Sequence, residues 1–375
     1  MLLGSAALRQ AEQAGIQGPN APNTHSSSKM QPSARNNIRN INVAITGFGG
    51  IGRKVAQLLL DRRDGYKSRY GFDVRVVGVC TSSAGIIRAE GLDKASLEDK
   101  TGYTSGLSGS SFIESVPADV LFEASPTDFY TGGAALFYIK SALARRMHII
   151  AISKGALAFD FATIRDEAAR QKVALKLSGA AGSAMPTIDL IHHNLAGCQV
   201  SSVAAIVTGT TNVILSAMMD QECSFEDALA EAQRLGIAES DPTLDTDGWD
   251  TACKIAILSN AAFGTAINVE KMPRQGIGGV TVADVRHWRS LGVMPRLVGH
   301  IDLVEGKYEA SVRLDLCDES HPFARAHGRT KAVSVTTDLM GDLTIVGGGS
   351  SPYGTAAAAL KDLEHVLRAL EQSVV

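Results

Sequence analysis

Short apolar runs alternate with longer amphipathic or Ala-rich segments through the first half of the chain. The segment 53–60 carries its apolar residues on one side and favours a helix, as does the Ala-rich stretch 133–146. The runs between these segments are apolar and mostly β-branched or aromatic, and they predict strands at 41–46, 73–79, 120–122 and 148–152. Strands that alternate with helices predict a parallel sheet with helices on both faces.

The pattern loosens after residue 160. A helix near 161–172 and a strand at 173–177 continue the alternation, but longer loops follow before the next predicted strand at 203–207. This change of pattern indicates a domain boundary near residue 160.

Three further helices are predicted in the second half. Ser224, with Asp227 three residues later, predicts a capping box at the start of one helix, and Gly236 ends that helix. A second helix begins near Trp249. The stretch 355–370 contains no Gly or Pro and is rich in Ala and Leu, so it predicts a final helix.

Composition and charge exclude several classes of protein. The formal net charge is -3 and the Lys and Arg residues are scattered, so we predict no nucleic-acid partner. Crossing a bilayer takes roughly 20 consecutive apolar residues, and no stretch approaches that length, so we predict no membrane association. The cysteines, 5 in number, are widely spaced without a C-x-x-C pair, which is typical of reduced thiols and favours a cytoplasmic location.

Residues 1–40 differ in composition from the rest. They are rich in Ser, Asn, Gln and Pro, and Glu12 is their only acidic residue. We interpret them as a disordered leader or as the result of a misplaced start, since Met30 lies just upstream of the first predicted strand. A transit peptide for an organelle is left open by the same composition.

The first candidate site is the glycine-rich turn that follows the first predicted strand. Residues 47–52 match G-x-G-x-x-G within a strand, helix, strand unit, where backbone N–H groups at a helix start receive a pyrophosphate. In that motif the first glycine permits the tight turn, the second lets the phosphates approach, and the third allows close helix packing. We therefore predict dinucleotide binding here, by Gly47, Phe48, Gly49, Ile51 and Gly52.

The choice between NAD and NADP depends on the end of the second strand. NAD-binding proteins usually place Asp or Glu there, whereas this chain has Thr81 and Ser82 after Cys80. This loop therefore has no carboxylate that would repel the 2′-phosphate of NADP. Arg88 either reaches that phosphate or is a solvated surface residue. We predict Thr81 and Ser82 as cofactor-binding residues, with a lean to NADP over NAD.

The second candidate site is an acidic segment followed by a lysine in an apolar helix. Asp250 and Lys254 lie four residues apart and therefore on one helical face. A surface ion pair would give the same spacing, but the neighbours of Lys254 are apolar, so its ammonium is expected to leave a buried helix toward a cleft. Burial lowers the pKa of a lysine and suits it to proton transfer.

These motifs together resemble the homoserine dehydrogenase family, and the resemblance extends from Ile41 to the final helix. We therefore expect a short form of the family, without the regulatory ACT domain of longer members and without a fused aspartate kinase. Besides the glycine turn and the 239–254 segment, the matching motifs are Ala118–Glu123, Ser153–Ala158, Gly182–Pro186, Thr208–Asn212, Gly276–Asp284, His321–Pro322, Gly347–Gly349 and Thr355–Ala356.

The resemblance implies NAD(P)-linked interconversion of L-aspartate 4-semialdehyde and L-homoserine, within threonine and methionine biosynthesis, by a homodimer. It implies Lys254 as the acid/base group, Asp250 as its polar partner and Lys154 beside the nicotinamide. The amino-acid substrate would be bound by Glu239, Asp245, Gly209 and Thr210, and Gly349 would add a cofactor contact.

The chain departs from the family pattern at several motif positions. Ser153 replaces an Asn and Lys331 replaces another, while Ser351 stands where a Gly is usual. Ser178 replaces the Glu that helps to hold a sodium ion in the family, and Ala181 replaces a nearby Val. We therefore assign no metal ligand.

The predicted fold class is α/β, with a Rossmann-type parallel-sheet domain and an inserted α+β domain for substrate binding and dimerisation. A chain of 375 residues is longer than one core usually organises. We predict that 41–160 and 340–375 form the dinucleotide-binding domain and 161–339 the inserted domain. Two alternative functions are an oxidoreductase for another small hydroxy or oxo acid, and a catalytically silent dinucleotide-binding sensor.

Overall fold

The computed structural model describes residues 38–349 and 351–372. The predicted leader, apart from residues 38–40, lies outside this part of the chain. Among the helices that are described, none combines the length and the apolar character that a membrane span requires.

The first sheet has seven strands in the order β4-β3-β2-β1-β5-β6-β7. Strands β1, β2, β5, β6 and β7 pair in parallel, whereas β3 and β4 join the β2 edge in antiparallel orientation. The predicted strands thus form the predicted parallel sheet, and the short strands β3 and β4, which were not predicted, add an antiparallel edge to it. The strands are β1 Arg39–Thr46, β2 Phe72–Cys80, β3 Ala84–Ile87, β4 Thr104–Ser105, β5 Val120–Glu123, β6 His148–Ala151 and β7 Leu175–Lys176.

The second sheet has five strands in the order β10-β9-β8-β11-β12, and every pair in it is antiparallel. Together the two sheets confirm the predicted α/β class with a mostly parallel sheet and a separate α+β region. The strands are β8 Val200–Ile206, β9 Met294–Val304, β10 Lys307–Cys317, β11 Lys331–Thr337 and β12 Gly341–Gly347.

Helices cover both sheets, and short 3₁₀ or π-helical turns connect some of them. The helices are α1 Gly50–Asp61, α2 Arg63–Tyr70, α3 Lys94–Glu98, α4 Gly109–Ser115, α5 Gly133–Ala144, α6 Gly155–Gln171, α7 Ser178–Ala181, α8 Gly209–Gln221, α9 Phe225–Arg234, α10 Thr243–Thr246, α11 Trp249–Phe263, α12 Val282–Leu291 and α13 Pro352–Gln372. The short turns are Lys100–Gly102, Leu190–Asn194, Val269–Lys271 and Pro322–Arg325.

Two helix predictions differ from the structure in detail. Helix α6 begins six residues before the predicted start at 161. Non-helical angles at Asp160 (φ -144, ψ 48) divide it, and the predicted helix corresponds to the part after this kink. The capping box predicted for α9 is half formed. The Ser224 hydroxyl accepts the Asp227 N–H at 3.1 Å, but the Asp227 carboxylate accepts the same hydroxyl, not the Ser224 N–H.

Side chains of the first sheet alternate between two helical layers, as the two-residue period of a strand requires. Val43 and Ile45 of β1 lie in one apolar cluster with Leu360 of α13 and residues of α1. Ala44 lies in the opposite cluster with Ile139 of α5 and residues of α6. The sheet is therefore buried on both faces, which explains the nearly continuous apolar runs in its sequence.

Helix α13 returns to the first sheet after the chain has passed through the second. One contact joins α13 directly to α1: the Lys54 ammonium of α1 donates to the Tyr353 hydroxyl of α13 at 2.9 Å. The sheet also includes β7, which lies beyond the boundary that we drew near residue 160. The exact division into two domains stays a prediction.

Helix α11 packs very closely against the second sheet. A side chain at Gly299 of β9 would place its Cβ 2.2 Å from Ile255 Cγ1 of α11, so this position accepts only glycine. Ile255 and Leu258 belong to the same apolar cluster as Val203 and Val335 of the sheet. This packing fixes the helix on which Asp250 and Lys254 lie.

Candidate active site

The glycine turn joins β1 to α1 and has a distinct role for each glycine. Gly47 has φ +75, and a Cβ there would lie 2.3 Å from the backbone of Ala124 and Ser125. A Cβ on Gly52 would lie 2.5 Å from the Gly47 carbonyl oxygen. Gly49, by contrast, is exposed and has no atom within 4 Å of the position that its Cβ would take. Gly47 and Gly52 therefore serve the fold, while Gly49 leaves space beside the helix start.

That space has the properties of a pyrophosphate site. The N-terminus of α1 carries backbone N–H groups without helical partners and lies where β1 ends. Strands β2 and β5 flank β1 on opposite sides, which is the strand-order reversal where doubly wound sheets bind ligands. The chain's own residues therefore fit a dinucleotide at this turn.

Phe48 and Ile51 serve the turn as packing residues. The Phe48 N–H donates to the Cys80 carbonyl at 3.0 Å, and the ring is buried beneath the Arg53 guanidinium, 4.9 Å from it. Ile51 is partly buried against the core of the first sheet. Their backbone, more than their side chains, borders the space beside Gly49.

The loop after β2 contains hydroxyl groups and no carboxylate. The Thr81 hydroxyl donates to the Ala84 carbonyl at 3.0 Å, so it stabilises the loop, and Ser82 is exposed. Arg88 is also exposed, and its guanidinium donates to the Ser96 hydroxyl at 3.1 Å. Thr81 and Arg88 are thus both engaged in other contacts, whereas the hydroxyl-bearing residues Ser82 and Ser83 are exposed.

A buried carboxylate between two lysines forms the centre of the candidate site. Asp250 accepts hydrogen bonds from the ammonium groups of Lys154 and Lys254, each at 2.5 Å, one on each oxygen. The exposed fractions of these side chains are 10% for Asp250, 12% for Lys254 and 24% for Lys154. The structure thus joins the three residues that we predicted as catalytic.

Three different elements supply this group. Lys154 lies where the chain leaves β6 and begins α6, and Asp250 and Lys254 face the same side of α11 one turn apart. Lys254 also donates to the Val207 carbonyl at 3.0 Å at the end of β8. The group therefore lies between the two sheets.

The charges of this group support one another. Burial disfavours ionisation of Asp250, but the adjacent charges of Lys154 and Lys254 hold its pKa well below the usual range. Burial also opposes the charge on Lys154, yet Asp250 raises the pKa of that lysine. Asp250 is therefore a permanent anion that organises two cations.

Thr208 completes this group, and the sequence analysis missed it. Its hydroxyl donates to Asp250 at 2.9 Å and lies 3.0 Å from the Thr251 hydroxyl. The motif Thr208–Asn212 was recognised, but only Gly209 and Thr210 were assigned from it. Its place at the start of that motif was the signal that the sequence offered.

The predicted substrate residues divide into two groups. Asp245 is partly buried, and the Thr210 hydroxyl donates to the Ile237 carbonyl at 3.5 Å. Burial, and then the charge of Asp250, raises the pKa of Asp245. Gly209 lies against the backbone of Arg329, where a Cβ would come within 3.3 Å of the Arg329 Cα. These residues border the Lys154–Asp250–Lys254 group.

Glu239 makes no hydrogen bond or ion pair with that group. It is exposed, its backbone carbonyl accepts a hydrogen bond from Gln233 at 3.0 Å, and its carboxylate has no hydrogen-bond partner in the described part of the chain. The structure therefore does not bring Glu239 together with the lysines.

A second buried carboxylate connects the glycine turn to Lys154. Glu123, at the end of β5, accepts the Ser125 N–H at 2.7 Å and the hydroxyl of Ser153, the residue that precedes Lys154. Burial raises the pKa of Glu123. Ser153, which replaces the family's Asn, therefore still bonds to a buried group that fixes the backbone beside Lys154.

Two further departures, Ser351 and Ser178, also have structural roles. Ser351 accepts the Gly354 N–H at 3.0 Å through its hydroxyl and so caps the start of α13, while Gly349 is exposed beyond β12. Ser178 is bound by two residues of α13: its N–H and hydroxyl donate to Asp362 at 2.9 and 2.8 Å, and Lys361 donates to its hydroxyl at 2.7 Å. An ammonium group thus lies beside Ser178.

An open space at a Rossmann-type turn, together with a buried lysine–carboxylate–lysine group, defines a class of protein. Such a protein binds a dinucleotide with one sheet and places proton-transfer groups between the sheets. The class is a dinucleotide-dependent α/β oxidoreductase.

Comparison with known proteins identifies the family. Residues 47–177 match the profile described as the NAD binding domain of homoserine dehydrogenase, and residues 186–363 match the homoserine dehydrogenase profile. The chain is 34% identical to the homoserine dehydrogenase of Methanocaldococcus jannaschii, over 87% of this chain and 98% of that protein. It is 32% identical to the NAD(+)-dependent homoserine dehydrogenase of Pseudomonas canavaninivorans, over 86% of this chain and 95% of that protein.

Solved structures agree with the sequence comparison. The crystal structure of a homoserine dehydrogenase from Thiobacillus denitrificans is similar with a TM-score of 0.78 at 30% identity, over 88% of this chain and 74% of that chain. The chain therefore belongs to the homoserine dehydrogenase family of NAD(P)-dependent oxidoreductases, as the motifs predicted. The roles of its individual site residues stay predictions.

Proposed function

We propose that this protein interconverts L-homoserine and L-aspartate 4-semialdehyde with NAD as the hydride carrier. The observation that carries the proposal is the Asp250 carboxylate bonded by Lys154 and Lys254 at 2.5 Å each, close to a turn that fits a dinucleotide. Family membership supports the same reaction. The two alternative functions have no comparable support.

The proposed steps use the chain's own groups as follows. The glycine turn 47–52 would hold NAD, and the bound cofactor would supply the acceptor for the hydride that leaves C4 of homoserine and the hydride donor in the reverse direction. Lys254, as the neutral amine, takes the proton of the C4 hydroxyl group, and as the ammonium it returns that proton to the carbonyl oxygen. Asp250 orients the lysine, and Lys154 holds the reacting oxygen beside the cofactor.

Asp245 is proposed to bind the ammonium group of the substrate, with Thr210 and Gly209 as further polar contacts. Its partly buried carboxylate lies beside the lysine group and lacks a cationic partner within ion-pair distance among the described residues. Glu239 is exposed, so its proposed contribution requires the substrate to extend to the surface.

NAD is proposed in preference to NADP. The sequence lean to NADP followed from the absence of a carboxylate after β2, but Arg88, the candidate for the 2′-phosphate, is exposed and bonded to Ser96. The matching domain profile is described as NAD binding, and one relative is named as NAD(+)-dependent.

A homodimer is proposed through the five-stranded sheet. Large apolar side chains are exposed around its two hairpins, namely Val304, Leu316, Leu339, Met340 and Val346. Exposed apolar patches of this kind mark association surfaces. Light scattering coupled to gel filtration should give twice the chain mass, and a monomer at micromolar concentration contradicts the proposal.

The experiment that tests the function is a steady-state assay of nicotinamide absorbance. L-homoserine and a panel of small hydroxy acids are each tried with NAD and with NADP. Homoserine with NAD is expected to give the highest kcat/KM. A different preferred acid would identify the diverged enzyme, and no turnover with any pair would favour the sensor.

A further inference from the structure

Lys331, the first residue of β11, is a buried cation with almost no compensation. Its exposed fraction is 1%, and its ammonium donates one hydrogen bond, to the Gly182 carbonyl at 3.3 Å. Within residues 38–349 and 351–372, no carboxylate oxygen lies within 4.0 Å of that ammonium. A lysine has three donors, so two of them have no partner in the described part of the chain.

Another buried cation in the same region shows how such a group is normally satisfied. The Arg296 guanidinium, with an exposed fraction of 0%, donates to the carbonyls of Phe323, Pro295 and Ala324 and to the Ser216 hydroxyl. Burying a charge without such partners is strongly unfavourable. The difference indicates that Lys331 awaits a partner that the chain itself does not supply.

The position of Lys331 identifies where that partner binds. Ala332 pairs with Ile206 in the antiparallel ladder, so Lys331 lies opposite Val207, whose carbonyl accepts the hydrogen bond from Lys254. Lys331 therefore borders the Lys154–Asp250–Lys254 group. Burial, and then the charge of Lys254, lowers the pKa of Lys331 to about 7.

The charges around this group do not balance. Three lysines face a single carboxylate that is bonded to two of them, and the next carboxylate, Asp245, has a pKa that burial raises. A cleft with surplus positive charge attracts an anion. Because Asp245 is proposed to bind the substrate's ammonium, the surplus suits the other charge of an amino acid.

We infer that Lys331 forms a carboxylate-binding site and that its ligand is the α-carboxylate of the substrate. The inference rests on the function proposed above. An incoming carboxylate gives the Lys331 ammonium the counter-charge that it lacks, and it leaves Lys254 free to exchange the proton of the hydroxyl group. Lys331 thereby makes the enzyme specific for amino acids over simple amino alcohols.

The test compares two substrates that differ only in the carboxylate, L-homoserine and 3-aminopropan-1-ol. Lys331→Met keeps an unbranched side chain as far as Cε and removes the ammonium group. In this variant kcat/KM for homoserine should fall by about 10- to 100-fold, the usual effect of losing a charged hydrogen bond. The value for the amino alcohol should stay within about twofold. If turnover of the amino alcohol is too slow to measure, its inhibition constant in competition with homoserine is measured in place of kcat/KM.

Two control variants accompany the test. Lys331→Arg keeps a cation and should retain part of the preference for homoserine. Lys140→Met removes a surface lysine paired with Asp160 at 2.7 Å and should leave both substrates unaffected. The melting temperature of Lys331→Met should be equal to or above that of the wild type, because the variant no longer buries a charge.

The possible results separate cleanly. Equal losses of kcat/KM for both substrates would show that Lys331 only supports the Gly182 backbone. A loss of NAD affinity instead would show that Lys331 binds an anionic group of the cofactor. Either result overturns the inference, and so does an unchanged kcat/KM for homoserine. If the wild type is inactive with homoserine, the proposed function fails. The inference is then tested with the preferred acid and its decarboxylated analogue.

Discussion

The glycine turn and the lysine group achieve ligand binding by opposite means. The turn is a continuous stretch of six residues, 47–52, whose uncharged backbone provides space and N–H groups. The lysine group joins Lys154 to Asp250 across 96 residues of sequence and depends on charge. A binding space formed by backbone can therefore be specified by one short stretch of sequence, whereas a pair of buried opposite charges requires residues that are distant in sequence to pack together.

The two regions should therefore respond differently to mutation. A change in the turn alters the space for the cofactor and leaves the electrostatics of the proton-transfer group intact. A change at Asp250 or Lys254 alters proton transfer and leaves the contacts of the glycine turn with the dinucleotide intact.

The largest effect is expected from Gly49→Val. The side chain would fill the open space beside α1 where the pyrophosphate approaches, so dinucleotide binding should be abolished, as measured by fluorescence titration. The melting temperature should change little, because nothing lies within 4 Å of the new Cβ position.

Gly52→Ala is the matched control for that variant. Its Cβ would lie 2.5 Å from the Gly47 carbonyl, so it should lower the melting temperature markedly. Unchanged dinucleotide affinity in Gly49→Val would contradict the assignment of the turn.

The next effect concerns which lysine transfers the proton. Lys254→Ala should lower kcat by roughly 100-fold or more, the usual scale of general acid–base catalysis, with nearly unchanged cofactor affinity. Turnover and dinucleotide affinity of Lys154→Ala are measured in parallel. Near-normal turnover in Lys254→Ala together with a large loss in Lys154→Ala would transfer the role to Lys154.

A smaller effect, about tenfold on kcat, is expected from Asp250→Asn, because both lysines remain but lose their shared anion. The carboxylate raises the pKa of Lys154, so its removal lowers that pKa and the neutral amine forms at lower pH. Lys154 is proposed to hold the reacting oxygen as an ammonium, so the rate of homoserine oxidation should fall off at lower pH than in the wild type. A pH profile that coincides with that of the wild type would refute this coupling.

The smallest effect is expected from Arg88→Ala. Arg88 is exposed and bonded to Ser96, so its loss should leave the ratio of NAD to NADP affinity within about twofold of the wild type, since exposed residues contribute little. A selective loss of NADP affinity in an equilibrium titration would show that Arg88 binds the 2′-phosphate and would favour NADP as the cofactor.

Much of the first sheet could be predicted from the sequence because its strands and helices have strong local patterns. The predicted strand at 41–46 corresponds to β1 and the helix at 355–370 lies within α13. The antiparallel strands β3 and β4 escaped prediction, since two- and four-residue strands show no clear alternation. Strands β9 to β12 were not predicted individually, because their pairing with β8 is set by contacts distant in sequence.

The sequence by itself determined the glycine turn and the placement of Asp250 and Lys254 on one helical face, because both follow from spacing along a single element. Only the tertiary structure decided that Lys154 reaches Asp250, that Glu239 stays exposed and that Lys331 is buried beside Val207. The physical reason is that burial and charge pairing depend on how the two sheets pack, and no local pattern in the sequence specifies that packing.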